Sequence, residues 1–100
     1  MFYITVKLFG LSGRRGEFRA YEEKALAIFR RHGGEVVAAY TPLPDASIAE
    51  MPDEIQILRI ADRQAFDGFM KNPERRAMAA ERESVIRKTE VFLSGEHAGY

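Results

Sequence analysis

The hydrophobic residues of the chain recur with the period of a strand in some segments and of a helix in others, and the order of these segments restricts the fold. Residues 2–9 alternate with a period of two, as in a strand. From about Glu17 the apolar residues recur every three to four positions, as on one face of a helix. His32-Gly33-Gly34 is predicted to end this helix, because glycine readily adopts the left-handed conformation found after a helix C-terminus.

This first predicted helix has an apolar face and a charged face. We expect the apolar face to pack against a sheet and the charged face to remain in solvent. The apolar face comprises Phe18, Tyr21, Ala25, Ile28 and Phe29, and the charged face comprises Arg19, Glu22, Glu23 and Arg30.

Three more strands are predicted in the remainder of the chain. Residues 35–41, 54–60 and 88–94 carry the β-branched or alternating apolar residues that are typical of strands. Prolines bracket the connection at 42–52, which is longer than a tight hairpin requires. A connection of this length is either a functional flap or a tolerated insertion.

A second helix is predicted between the last two strands. Asp62 is a suitable N-cap, because its short side chain can accept a hydrogen bond from a free backbone N–H of the first turn. Asn72-Pro73 interrupts the helix, with Asn72 as a new N-cap and Pro73 at the first helical position. The helix then continues to about Val85.

The resulting order, β-α-β-β-α-β, predicts a ferredoxin-like α+β domain. Right-handed crossovers place the first and third strands in the centre of a four-stranded antiparallel sheet, in the order 4-1-3-2, with two helices on one face. The residues predicted on the other face are too apolar to remain in water, so a second copy of the chain is expected to cover it. We expect residues 1–95 to form one such domain and residues 96–100 to fray.

Composition excludes several classes of function. Fifteen lysine and arginine residues balance fifteen aspartate and glutamate residues, so the basic excess that is typical of nucleic-acid-binding proteins is absent. No apolar run approaches the length of a membrane span, which predicts a cytoplasmic protein without a membrane partner. The chain has no cysteine and only two histidines, so we expect neither a metal site nor a cofactor.

Three stretches of the sequence resemble the dimeric α+β barrel superfamily, in particular its short uncharacterised members. They are Tyr21-Glu22-Glu23-Lys24-Ala25-Leu26 leading to His32-Gly33-Gly34-Glu35-Val36-Val37; Leu58-Arg59-Ile60 before Asp62-Arg63-Gln64-Ala65-Phe66; and Asn72-Pro73-Glu74-Arg75-Arg76 followed by Arg82 and Lys88-Thr89-Glu90-Val91. The superfamily includes cofactor-free monooxygenases of phenolic polyketides, lactone isomerases, cyclases, haem-degrading enzymes, haem dehydratases and proteins without a known activity. The resemblance therefore implies a fold and a homodimer but selects no single reaction.

Strand alternation suggests one cluster of charged residues. Lys7, Arg59 and Glu90 lie on the three strands expected to be adjacent, and on the face without helices they would converge with Tyr3, Thr5 and Phe92. A buried charge requires a partner, so Lys7 or Arg59 is expected to pair with Glu90. The cluster is either a cationic pocket for a carboxylate, phenolate or enolate, or a structural salt bridge at the dimer seam.

His32 and Tyr40 complete the candidate pocket, and the alternatives given for Tyr40 apply also to Tyr21. His32 is either a general base or haem ligand, or a C-terminal helix residue that satisfies free carbonyls. Tyr21 and Tyr40 either donate to a ligand oxygen or pack in the core. The candidate pocket residues are Lys7, Arg59, Glu90, Tyr3, Tyr40 and His32.

Two functions remain open from the sequence. The first is binding or transformation of a small aromatic or carbonyl compound without a cofactor, as in a monooxygenase or an isomerase. The second is a non-catalytic dimeric structural or accessory domain. A cavity lined by convergent polar groups favours the first, and a barrel filled by side chains with fully paired charges favours the second.

Overall fold

The computed structural model describes residues 1–100 and has the predicted order of strands and helices. The elements are β1 (Phe2–Gly10), α1 (Arg15–Arg31), β2 (Glu35–Tyr40), β3 (Glu54–Ile60), α2 (Arg63–Met70), α3 (Pro73–Arg76), α4 (Ala79–Val85) and β4 (Ile86–Leu93). No helix is long and apolar enough to cross a membrane.

The four strands form one antiparallel sheet in the order β2-β3-β1-β4, which confirms the predicted topology. In the central pair Tyr3 lies opposite Arg59, and on the other side of β1 Lys7 lies opposite Glu90. β4 begins two residues earlier than predicted, because Ile86 pairs with Gly10 beyond an irregularity in the β1–β4 register. The α+β class and the ferredoxin-like arrangement are therefore both present.

The core lies between the helices and one face of the sheet. Alternate residues of β1, namely Ile4, Val6 and Leu8, are buried on that face, as their period of two predicts. Leu58 of β3 and Phe29 of α1 belong to the same buried cluster. The apolar periodicity of β1 and α1 thus has one physical cause, which is removal of these side chains from water.

α1 ends where the sequence predicts. The backbone N–H of His32 donates to the Phe29 carbonyl oxygen at 3.1 Å, and Gly33 follows with φ of 84°, in the left-handed region that favours glycine. Gly34 packs directly against the Phe29 ring, so that a Cβ atom there would lie 2.3 Å from the ring carbon Cε2. Gly33 therefore permits the turn after α1, and Gly34 leaves room for the Phe29 ring in the core.

The second helical region is divided as predicted. The Asp62 carboxylate accepts a hydrogen bond from the Ala65 N–H at 2.8 Å and caps α2. Asn72 caps α3 by accepting from the Arg75 N–H at 3.1 Å, with Pro73 at the first position. A further break at Met78, the N-cap residue of α4, separates α3 from α4.

The connection between β2 and β3 is attached to both β1 and β4. The Asp53 N–H donates to the Leu8 carbonyl oxygen at 2.8 Å, and the Asp53 carboxylate accepts from the Gly10 N–H at 2.6 Å. Glu50 pairs with Arg87 at 3.0 Å and with Lys88 at 2.7 Å. Residues 42–52 thus lead from β2 to contacts with β4, which lies at the opposite edge of the sheet.

Candidate ligand cavity between sheet and helices

A cavity of about 630 Å³ lies between the helices and the sheet. Its size falls within the range of small-molecule sites, and its walls are mostly hydrophobic, as is usual for such sites. Val91 and Leu93 of β4 and Met70 of α2 contribute apolar surface that is open to solvent. The polar side chains that face it come from six elements of the fold, namely Tyr21, Glu22, Gln56, Arg63, Asp67, Arg75, Arg82 and Thr89.

Glu22 is buried at this cavity, and the prediction that it lies on the solvent face of α1 was wrong. Only 9% of its surface is exposed. Glu22 follows Phe18 by four residues and precedes Ala25 by three, the spacing that places side chains on one helix face. That spacing within the apolar face was the sequence signal for its burial, and the charge of the side chain concealed it.

The carboxyl group of Glu22 lies beside a buried amide. The Gln56 side-chain N–H donates to Glu22 Oε1 at 3.5 Å and more closely to Glu54 Oε2 at 2.7 Å, and Gln56 is only 2% exposed. Burial raises the pKa of Glu22 to about 7, with a further upward contribution from the Glu54 charge. The hydrogen bond from Gln56 and the charges of Arg82 and Arg75 act in the opposite direction. A carboxyl group with this pKa can exchange a proton at neutral pH.

Tyr21 precedes Glu22 and lines the same cavity. The residue is buried, and this burial is the main cause that raises the pKa of its phenol. The negative charge of the neighbouring Glu22 raises the pKa further. The hydroxyl therefore stays protonated at neutral pH and can donate a hydrogen bond to a ligand oxygen.

Two arginines face the cavity from α3 and α4. The Arg82 guanidinium donates to the Thr89 hydroxyl at 2.6 Å. Arg75 donates to the Met70 carbonyl oxygen at 3.1 Å, and its guanidinium carbon lies 5.1 Å from the centroid of the Phe69 ring. Burial lowers the pKa of Arg75, and neither arginine takes part in an ion pair.

The residues predicted as a pocket lie elsewhere, and five of them are on the strand face opposite the cavity. Register places Lys7 opposite Glu90, with the Lys7 ammonium 5.5 Å from the centroid of the Phe92 ring. Arg59 does not reach Glu90 but pairs with Glu35 at 2.6 Å. Glu90 instead lies 3.4 Å from the Lys88 ammonium, so the expected pairing of Glu90 with Lys7 or Arg59 is not formed within the chain.

The two tyrosines of the predicted pocket lie on the same face. Tyr3 lies opposite Arg59, and Tyr40 lies opposite Ile55. Ile55 and Arg59 are four residues apart in β3, so both point to the same face of the sheet. Tyr40 is 49% exposed and Phe92 is 54% exposed, so this face has large apolar groups open to solvent.

His32 lies apart from both groups, at the C-terminus of α1. Its Nε2 atom is 3.0 Å from the Asn72 side-chain nitrogen. Its ring packs against the Phe69 ring in a T-shaped arrangement, with the two ring centroids 6.0 Å apart. The side chain thus connects the end of α1 with the start of α3. This position agrees with the interpretation of His32 as a helix-terminal residue.

Comparison with known proteins supports the fold alone. No protein-family model and no curated protein matches the sequence. A protein of unknown function from Rhodopseudomonas palustris has a TM-score of 0.75 at 15% identity, over 96% of this chain and 82% of its own. An uncharacterised NIPSNAP domain protein from Burkholderia xenovorans has a TM-score of 0.71 at 10% identity, over 100% and 98% of the two chains.

A third similar structure has a described activity. SnoaB from Streptomyces nogalater, a cofactor-independent oxygenase, has a TM-score of 0.65 at 18% identity, over 99% of this chain and 98% of its own. These likenesses confirm the α+β fold of the chain, a four-stranded antiparallel sheet with helices on one face.

Proposed function

We propose that the protein binds a small aromatic or aliphatic carbonyl compound in the cavity between sheet and helices and transfers a proton on it without a cofactor. The observation that carries the proposal is a buried carboxyl group with a pKa of about 7, at Glu22, in the wall of a mostly apolar cavity. Apolar walls suit the body of such a compound, and the few polar groups would orient it.

Glu22 is the proton acceptor in this proposal. Its carboxylate removes a proton from a carbon that is next to the carbonyl group or conjugated with it, and the electron pair of the C–H bond moves to the carbonyl oxygen to form an enolate. The Tyr21 hydroxyl donates a hydrogen bond to that oxygen and stabilises its charge. Where the compound has a double bond next to that carbon, the enolate is a dienolate, and return of the proton from Glu22 to the far carbon of the dienolate gives the conjugated isomer and restores the carboxylate.

In the alternative reaction, the enolate reacts with molecular oxygen instead of taking back the proton. A CH₂ group that reacts with one O₂ gives a carbonyl group and one water, a reaction that needs no metal or flavin when the carbanion is accessible. The cofactor-independent oxygenase among the proteins of similar fold supports this variant of the proposal.

Anthrone, an apolar tricyclic ketone with an acidic CH₂ group, is a suitable probe. Deuterium uptake into that group is measured by NMR in anaerobic D₂O, and oxygen consumption is measured in air. We expect Glu22→Gln to lower both enzyme-dependent rates about a hundredfold, the usual contribution of a positioned base. Glu23→Gln is the matched control, because Glu23 is the exposed neighbour and should leave the rates unchanged.

Binding of anthrone by the wild-type protein without enzyme-dependent exchange would contradict a catalytic role for Glu22. It would favour the alternative function, a non-catalytic dimeric structural or accessory domain. The pairing of Arg59 with Glu35 supports that alternative, because it neutralises one cation of the sheet face within the chain.

We further propose that the protein is a homodimer in which two copies pair through the strand face without helices. The exposed rings of Tyr40 and Phe92 support this arrangement, since a partner sheet would remove them from water. Lys7, Arg59, Glu90 and Tyr3 would then line the space between the two sheets. The cytoplasmic location stays a prediction from the sequence.

A further inference from the structure

Arg75 and Arg82 distinguish one end of the cavity from the rest of its wall. Both are partly buried and face the cavity, yet neither is within ion-pair distance of a carboxylate. Other arginines of the chain are paired, for example Arg59 with Glu35 and Arg63 with Asp67. Of the three arginines that line the cavity, Arg63 is paired with Asp67, whereas Arg75 and Arg82 have no carboxylate partner.

Neutral groups hold these two guanidinium groups in position. Arg82 is held by the Thr89 hydroxyl, and Arg75 by the Met70 carbonyl oxygen and the face of the Phe69 ring. Hydroxyl, carbonyl and ring contacts orient a guanidinium group without neutralising its charge. Removing a cation from water without an anion is unfavourable, and an anionic ligand would offset that cost.

Glu22 neutralises these two arginines only in part. Glu22 lies close enough for both arginines to affect its ionisation, but burial raises the pKa of its carboxyl group to about 7, so that it is not fully ionised at neutral pH. A ligand with one negative charge therefore fits the site better than one with two, because Glu22 and Glu54 would repel a dianion.

We propose that the cavity binds a monocarboxylate with an apolar body, whose carboxylate is held by Arg75 and Arg82 and whose body packs along Val91 and Leu93. The guanidinium fork matches a carboxylate in a bidentate geometry, and the apolar walls account for the remainder of the ligand. This inference rests on the proposed function only in using the same cavity, and it narrows the substrate class to carbonyl compounds that also carry a carboxylate.

The test compares three naphthalenes that differ in one group. Binding of 2-naphthoate, 2-naphthamide and 2-naphthyl phosphate to the full chain is measured by calorimetry at neutral pH. We expect the carboxylate to bind at least tenfold more tightly than the uncharged amide and more tightly than the phosphate. Equal affinities for carboxylate and amide, or a preference for the phosphate, would overturn the proposal.

Substitutions locate the site within the cavity. Arg82→Gln and Arg75→Gln are each expected to weaken naphthoate binding at least tenfold and naphthamide binding less than twofold. Arg76→Gln is the matched control, because Arg76 is exposed and lies outside the lining of the cavity. An unchanged naphthoate affinity in both variants would assign the anion to another surface and refute the proposal. Retained amide binding shows that the cavity is intact, and the wild-type ligand series decides the question if a variant does not fold.

Glu22→Gln separates this inference from the proposed proton transfer. The variant should lose enzyme-dependent exchange of anthrone but keep naphthoate binding, since the amide removes a repelling charge and leaves both arginines in place. Carboxylate preference without any exchange in the wild type would support the binding site and refute the proton transfer. Enzyme-dependent exchange of anthrone without a preference for the carboxylate ligand would support the proton transfer and refute the carboxylate site.

Discussion

Replacing Glu22 with glutamine should stabilise the protein at alkaline pH and leave its stability unchanged at acid pH. Burial raises the pKa of this carboxyl group from 4.5 to about 7 in the folded chain. Below 4.5 it is protonated in both the folded and the unfolded state and contributes no penalty. As the pH rises from 4.5 through 7, the unfolded chain releases this proton first, so the free energy of unfolding falls.

The magnitude of the effect follows from the size of the shift. The interval between 4.5 and about 7, at about 1.4 kcal/mol for each pH unit, corresponds to about 3 kcal/mol at alkaline pH. Glutamine has nearly the same shape and cannot ionise, so the variant avoids this cost. For a domain of this size, the difference amounts to about 10 °C or more in the melting temperature.

Urea unfolding at about pH 4 and about pH 8.5 measures the effect. Wild type, Glu22→Gln and the control Glu23→Gln are compared at one protein concentration, because association contributes to stability in an oligomer. The free energy of unfolding of Glu22→Gln should equal that of the wild type at about pH 4 and exceed it at about pH 8.5. The free energy of unfolding of Glu23→Gln should equal that of the wild type at both pH values. A gap of the same size at both pH values would refute the assignment of a raised pKa to Glu22.

Two substitutions test the fold, and one mass measurement tests the assembly. Asp62→Ala should lower the free energy of unfolding by about 1 kcal/mol, because the Ala65 N–H loses its cap; an unchanged urea midpoint would contradict this role. Gly34→Ala should destabilise the protein by about 1–3 kcal/mol, since the new Cβ atom would overlap the Phe29 ring, whereas Gly95→Ala, where a Cβ meets nothing within 4 Å, should be neutral in the same thermal melts. Native mass spectrometry at micromolar concentration should show a dimer, and a folded monomer would refute the proposed pairing of sheets.

Much of the fold could be predicted because its signals are local. The caps at Asp62 and Asn72 act on backbone N–H groups three residues away, so the identity of a few neighbours is sufficient. The end of α1 at His32 likewise depends on the two glycines that follow it. The strand order then follows from the order of elements and the handedness of crossovers.

The partners of charged residues could not be predicted in the same way. Arg59 was expected near Glu90, but the β2–β3 register places it directly opposite Glu35. Register depends on how two strands align along their whole length, and here β2 also contains an irregularity between Val36 and Ala38. Adjacency of strands was therefore predictable, and the choice of ion-pair partner was not.

The sequence by itself determined the periodicity, the helix ends and the topology of this protein, because each depends on residues a few positions apart or on the order of segments. Only the tertiary structure decided that Glu22, Gln56 and Arg82 meet at one cavity. They belong to a helix, a strand and a second helix that are far apart in the chain. Glu22 acquires its raised pKa from the desolvation and charges that this assembly creates, and neither exists until the three elements have packed together.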